Sequence, residues 1–554
     1  MSRRLGRVLT CCSMLILLAG CEKIKSIEWP KSEDVDELVK KKDEVEKPVI
    51  KKSIYNMSLE VDAKTLDPAG IVDAYSWCVA RRLFSTLVRH DPQMNLQPEL
   101  AESWSVSPDG LTYTFKLRPK VRFHHGREVD SSDVAFSLAR VAKKRFWIVK
   151  QIVGAKEVAD GKAESLKGVS TPDRYTLIIK LTEPFPPFIQ QLAMVNCAAV
   201  PREKVNKDPA AFAREPIGSG PFKLKQWLQK DRVELERFDK YFRGPAKLDG
   251  IRIRIVKELT VAYEAYQGGE LDHCVVPREL MRQTLNGPQK DEVREVPNLN
   301  TRYLGITMTR TPLGTNIHLR RAINYAINRP LLYDKILGGA DVPAKGVLPP
   351  GMPGYDPDLS GYTYDLEKAK SELKASGYGD HNPPPPVTLW HTTERNGNLI
   401  AQQVQADLKK IGVTLRLKTV DFPALLAATT TGEPDLFRIA WVADYPDPDN
   451  FLYILFHSGQ KPDEGNRTHF ADADVDALLD AARAEVDLEK RIKAYQAAER
   501  LIVDRSPWIF LSHGVTYMLV KPHVNGLALG PLDSGNAVGG VDFHPVSVPE
   551  KIIQ

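Results

Sequence analysis

The chain has 554 residues, enough for three to four domains at about 150 residues each. Apolar residues make up 42% and charged residues 27%, and six cysteines are too few for a disulfide scaffold. This composition excludes a polytopic membrane protein, a disordered chain and a cysteine-stapled miniature. The net charge of +5 falls to +2 once Arg3, Arg4 and Arg7 are set aside, which leaves no electrostatic footprint for a nucleic acid. Those three arginines are followed by the apolar segment 8–18, too short to span a bilayer. That is the pattern of a signal peptide over residues 1–20.

The leader ends in Leu18-Ala19-Gly20-Cys21, which resembles a bacterial lipobox. The resemblance implies cleavage just before Cys21, lipid on its thiol, and an extracytoplasmic location for everything that follows. Acyl chains at about 0.8 kcal/mol per buried CH₂ would then hold the protein to a membrane. Ser2-Arg3-Arg4 suggests a twin-arginine route, but Gly6 stands where that signal wants an apolar residue. Cys11 and Cys12 leave with the signal. Cys78, Cys197 and Cys274 remain, which permits one internal disulfide at most, in any of three pairings. Residues 21–52 form a charged tether. Val35, Leu38 and Val39 keep helical spacing, Asp36/Lys40 and Glu37/Lys41 are i,i+4 pairs, and Pro48 ends the run. Such a segment suits a solvated spacer or a docking helix for the cell envelope.

From Ser53 onward strands and helices mix. Leu111, Tyr113, Phe115 and Leu117 alternate with polar residues after the turn Ser107-Pro108-Asp109-Gly110. Tyr175, Leu177, Ile179 and Leu181 repeat the pattern, as do Ile251, Ile253 and Ile255. Ser131-Ser132-Asp133 is a capping cluster for a helix over 134–141. Leu319, Ala322, Ile323, Ala326 and Ile327 mark a core-facing helix. Asp365 caps the next, and Gly377 stops it. Strand, helix, strand, helix, strand then follow over 387–391, 399–411, 413–420, 421–430 and 436–442. This β-α-β-α-β order predicts a doubly wound parallel sheet. Ligands bind beyond the carboxyl ends of such strands. The last strand runs straight into Ala443-Asp444-Tyr445-Pro446-Asp447-Pro448, so Asp444 stands at the ligand position, beside Trp441 and Tyr445. A lone carboxylate among aromatics suits a small cation such as a ligand amine; a turn-capping role is the structural alternative.

No catalytic constellation emerges. Gly218-Ser219-Gly220 lacks the outer glycines of a nucleophile elbow, since Ile217 and Pro221 occupy those positions. His391-Thr392-Thr393-Glu394 is followed by Arg395 rather than the second histidine of a zinc helix. His124-His125 are adjacent and poorly placed to chelate one metal. Asp447 and Asp449 begin like a calcium loop, but Phe451 takes the third ligand position. No enzyme, no metal and no cofactor is expected.

Much of the chain, from about residue 54 to 526, resembles the extracytoplasmic solute-binding proteins of the peptide type, family 5, which feed ABC importers. The residues that carry the resemblance are Thr65-Leu66-Asp67-Pro68, Pro98-Glu99-Leu100-Ala101-Glu102-Ser103-Trp104, Ser107-Pro108-Asp109-Gly110-Leu111-Thr112-Tyr113-Thr114-Phe115, Val121-Arg122-Phe123-His124-His125-Gly126, Pro216-Ile217-Gly218-Ser219-Gly220-Pro221-Phe222, Arg321-Ala322-Ile323-Asn324-Tyr325-Ala326-Ile327-Asn328-Arg329 and Trp441-Val442-Ala443-Asp444-Tyr445-Pro446-Asp447-Pro448. Asn328 departs from the Asp usual there. The resemblance implies an α/β fold of two periplasmic-binding type II lobes with an extra β-rich domain inserted in lobe one. Lobe one would be 53–95 with 216–298 and 513–554, the extra domain 96–215, and lobe two 299–512. It implies a monomeric receptor for peptides that serves an ABC permease and touches the membrane through Cys21. Asp444 would hold the peptide amine, with Trp441, Ala443 and Tyr445 around it. Arg438 would meet a peptide carboxylate, and His513 would pass the cleft. Residues 71–75, including Ala74, would line the opposite wall. The same scaffold motifs occur in members that bind other solutes, so an opine, a metal chelate or a cell-wall peptide is the alternative cargo, and a signalling receptor or, last, a secreted hydrolase the alternative role.

Overall fold

The computed structural model describes residues 51–552, apart from 337, 340, 394 and 534–538. The leader, Cys21 and nearly all of the tether lie outside the described residues. Lys51–Lys52 pairs antiparallel with Lys551–Ile552. The body of the chain, Ser53–Glu550, is a unit of its own.

The body opens with β1 (Ile54–Leu59), whose Tyr55, Met57 and Leu59 are fully buried. Helix α1 (Ala74–Leu83) follows, with Asp73 as its cap: the Asp73 side chain accepts from the Ser76 backbone N–H. A second sheet comes next, from β2 (Ala101–Val106) and β3 (Thr112–Leu117). Helix α2 (Ser131–Lys144) then precedes β4 (Val169–Asp173) and β5 (Thr176–Lys180). The sheet order is β2-β3-β5-β4, antiparallel throughout. Its alternating Tyr113, Phe115, Leu117, Leu177 and Ile179 face a core shared with α2. The cap of α2 is Asp130, one residue before the cluster expected to cap it. Its extended backbone lets its carboxylate accept from the N–H groups of Ser132 and Asp133, while Asp133 reaches back to the Asp130 N–H.

The chain then returns to the first sheet with β6 (Phe222–Leu228), β7 (Arg232–Arg237) and β8 (Gly250–Ile255), in the order β1-β8-β7-β6, with β8 parallel to β1. Ile251 and Ile253 point into a core with α1, as their alternation predicts. The turn at Gly218 and Gly220 lies against the end of α1. A Cβ on Gly218 would sit 1.9 Å from the Leu83 carbonyl oxygen, so only glycine fits. His124 clasps this turn, with Nδ1 accepting from the Gly218 N–H and Nε2 donating to the Gly220 carbonyl. Burial pushes its imidazole down to about 3, which keeps it neutral for both bonds.

The largest sheet has seven strands. These are β9 (His273–Val275), β10 (Val293–Ile306), β11 (Asp341–Pro343), β12 (Val387–Thr392), β13 (Leu415–Val420), β14 (Leu436–Val442) and β15 (Trp508–Val520). The order is β9-β15-β10-β14-β12-β13, with β11 on β15. Strands β12, β13 and β14 are parallel to one another, as the β-α-β-α-β order requires. The sheet as a whole is mixed, because β10 pairs antiparallel with both β14 and β15. Crossover helices dictate direction only between the strands they join, and β10 and β15 enter by other connections. These two long strands pair along most of their length, with a register shift between Pro297 and Thr301. Helix α3 (Ile317–Ala326) buries Leu319, Ala322, Ile323 and Ala326. Helices α4 (Leu366–Ala375) and α6 (Phe422–Thr431) are capped by Asp365 and Asp421, as expected; α5 (Arg395–Lys409) lies between them in the chain. Two cores flank the sheet, one holding Leu436 and the other Phe437. Two α/β lobes, with the antiparallel β-rich sheet inserted in the first, result.

Cys78, Cys197 and Cys274 are free thiols. Each is buried in a different core, which is why none meets another.

Candidate ligand-binding site

Strand β14 ends at Val442, and the next eight residues form a tightly held loop. Asn450 is buried and organises it. Its Oδ1 accepts from the Trp441 indole N–H (3.2 Å) and from the Asp444 backbone N–H (3.0 Å), and its Nδ2 donates to Asp444 Oδ2 (3.3 Å). The loop is fastened from below by helix α7 (Leu488–Arg505). Arg491 donates to both carboxylate oxygens of Asp447, at 3.0 and 2.5 Å, with both side chains buried. The hydroxyls of Tyr445 and Tyr495 donate to Asp449 at 2.9 and 3.2 Å. Asp447 and Asp449, which open like a calcium loop in the sequence, are thus structural anchors.

Asp444 is held by this frame between two cavities. One, of about 520 Å³, is lined mainly by apolar groups, among them Ile71, Trp77, Met194, Leu299, Val442 and Leu532. The other, of about 460 Å³, is more charged and includes Lys150, Asp463, Glu464 and Arg483. Both volumes lie within the range of small-ligand sites. Trp147 and Asp444 line both cavities. The Asp444 carboxylate is open to these cavities but enclosed by protein, and that enclosure raises its pKa above the ordinary carboxylate value; the Asn450 hydrogen bond opposes the rise. Among the described residues no cation pairs with it. Val72, Trp147 and Val442, on different walls of the larger cavity, are 60, 39 and 57% exposed. That is apolar surface a ligand or a closing movement could cover.

Among the described residues, no nucleophile–base pair or metal-ligand set surrounds Asp444. The arrangement can bind, and the Asp444 carboxylate, unpaired with any cation among the described residues, can recognise one. The model of the bacterial extracellular solute-binding proteins, family 5 middle region, matches residues 95–463. The chain belongs to family 5 of these proteins. Members of this family are the substrate-binding components of ABC importers rather than enzymes. The dipeptide-binding protein of Escherichia coli strain K12 is 30% identical over 453 residues, covering 78% of this chain and 84% of the relative. Heme-binding protein A of Haemophilus influenzae is 28% identical, covering 87% and 90%. Among solved structures, the unliganded open form of the periplasmic murein tripeptide-binding protein MppA superposes with a TM-score of 0.79 at 26% identity, covering 91% of this chain and 98% of that one.

In this family 5 chain the predicted site residues fall into two groups. Asp444, Ala443 and Ala74 line the larger cavity, and Asp444, Trp441 and Tyr445 line the second. Tyr445 is nevertheless buried and spends its hydroxyl on Asp449. Arg438 and His513 line neither cavity. Arg438 alternates along β14 to the face opposite Trp441, where its guanidinium lies near Gly397 of α5. His513 is buried in β15, with Nδ1 3.0 Å from Thr301 Oγ1, and burial pushes its imidazole down to about 4. Sequence reasoning missed Asn450, Trp147 and Arg145. The first reads as an ordinary turn residue, and the other two come from the inserted domain, far from Asp444 in the chain.

Proposed function

We propose that this protein is a lipid-anchored receptor that captures peptides in the cleft between its lobes and presents them to an ABC permease. The observation that carries the reading is Asp444, a cavity-facing carboxylate with no cation among the described residues to neutralise it. A peptide's α-amino group is largely protonated at neutral pH, with a reference pKa of about 7.7–8.0. Two of the relatives described above are named for a dipeptide and a murein tripeptide. The lobes are proposed to divide at 298/299 and 512/513, beside the register shift in β10 and β15, with 96–215 as the inserted domain.

Removing one member of an enclosed charge pair costs about 2–5 kcal/mol. Asp444→Ala is therefore expected to weaken peptide binding about 30-fold to several thousand-fold. N-acetylating the peptide should weaken wild-type binding similarly, and the two losses should not add, because both delete one interaction. Calorimetric titration of both proteins with both peptides checks this. Equal binding of free and acetylated peptide by wild type would sink the reading. It would favour a non-peptide cargo, for which the heme-binding relative and the apolar walls of the larger cavity speak.

The anchor rests on Leu18-Ala19-Gly20-Cys21. Mass spectrometry of the mature N-terminus should find acyl chains on Cys21, and a Cys21→Ala protein that still partitions into membranes would refute it.

A further inference from the structure

Helix α2 ends in a run of cations. Arg140 and Lys144 both bond to Asp67 Oδ2, at 2.7 and 2.9 Å, and Lys143 bonds to Glu164. Arg145, the next residue, does not follow them. Its backbone N–H closes the helix on the Val141 carbonyl, and its half-buried side chain lines the larger cavity. Among the described residues its guanidinium has no hydrogen-bond or ion-pair partner, and its Nε is buried without one. A half-buried guanidinium is costly to leave unmatched.

The other polar residues lining that cavity are committed. Asp73 receives the N–H and hydroxyl of Ser76. Asn196 donates to the carbonyls of Pro68 and Ile71, and Asn298 bonds to Thr516. The cavity therefore presents two charges of opposite sign that no counter-ion among the described residues neutralises, Asp444, which accepts only from Asn450, and Arg145, in a lining that is otherwise mainly apolar. Lys150 lines the neighbouring cavity instead, where Arg483, Asp463 and Glu464 share the lining.

We propose that Arg145 is a specificity-determining residue that receives the ligand's carboxylate, so that the cleft takes a short zwitterionic peptide gripped at both ends. This rests on the amine-anchor reading of Asp444 and deepens it. A guanidinium can hold a carboxylate with two parallel hydrogen bonds, so the recognition is directional. Two fixed charges also make the cleft length-selective, because only one separation of the termini satisfies both.

The test titrates di-, tri- and tetraalanine, each as free acid, C-terminal amide and N-acetyl derivative, into wild type, Arg145→Gln and Arg145→Lys. For the length that binds best, the amide should bind wild type about 30-fold or more weakly than the acid. Arg145→Gln should abolish that preference, and Arg145→Lys should keep part of it. Arg145→Gln has no protein partner to lose among the described residues, so its melting temperature should not fall below that of wild type. If acetylation weakens binding but amidation does not, the amine anchor stands and the role of Arg145 falls. If Arg145→Gln still prefers the acid, the carboxylate is read elsewhere and the proposal is overturned. If none of the alanine peptides binds, both readings fall.

Discussion

Asp444 carries its charge at the expense of stability. Its folded pKa is raised above the unfolded value, so its contribution to folding is most favourable at low pH and is lost as pH rises through the folded pKa. At neutral pH the empty site is therefore a small liability that a ligand amine would relieve. Asp444→Asn is expected to melt higher than wild type at pH 7 without ligand, and the gap should close as pH falls through the raised pKa. Thermal melts across that range check it; a variant that melts lower at pH 7 contradicts the argument. Peptide affinity of wild type should fall over the same acid limb, starting at higher pH than an ordinary aspartate would titrate. That Asp444 matters was legible from its place after an apolar strand, where α/β sheets bind ligands. Arg145 was not legible, because in sequence it ends the run Lys143-Lys144-Arg145, which reads as cations complementing a helix C-terminus. Only the ion pairs of its two neighbours set it apart.

At the scale of elements, the loop after β14 is only as well placed as α7 holds it. Arg491→Met would leave the Asp447 carboxylate buried without its partner, and breaking such a pair typically costs about 3–5 kcal/mol. Denaturant unfolding should show a loss of that order, together with weaker peptide binding, because Asp447 lies three residues from Asp444. Unchanged unfolding would mean that water reaches Asp447 in the variant and that the clasp is dispensable. Local signals made the helices legible: Asp365 and Asp421 cap α4 and α6 as their positions announce. The sheet was less so. Its three parallel strands follow from the crossovers, but the antiparallel β10 and β15 pair across more than 200 residues of sequence, and no local pattern encodes that partner. Arg438 shows the same limit: strand periodicity puts it on the face of β14 opposite Trp441, and it lines neither of the two cavities at Asp444.

At the scale of the whole body, β10 and β15 are continuous strands with their register shift in mid-course, a natural place for bending. Closure of the lobes over a ligand would hide the apolar surface of Val72, Trp147 and Val442. Solution scattering should therefore give a smaller radius of gyration at saturating peptide than without it. An unchanged radius would argue for a cleft already in its binding shape.

The three free thiols have a consequence for how the chain matures outside the cell's reducing interior. With Cys78, Cys197 and Cys274 each sealed in a separate core, no pairing among these three has to be found as the body folds. Burial raises all three thiol pKa values, those of Cys197 and Cys274 to about 12, so the reactive thiolate is scarce while the cores stay shut. Each sulfur becomes alkylatable only when its own surroundings open. The protein thus carries three built-in clocks, one for the first lobe, one for the inserted domain and one for the small core beside β9, whose labelling rates would tell which part of the receptor loosens first.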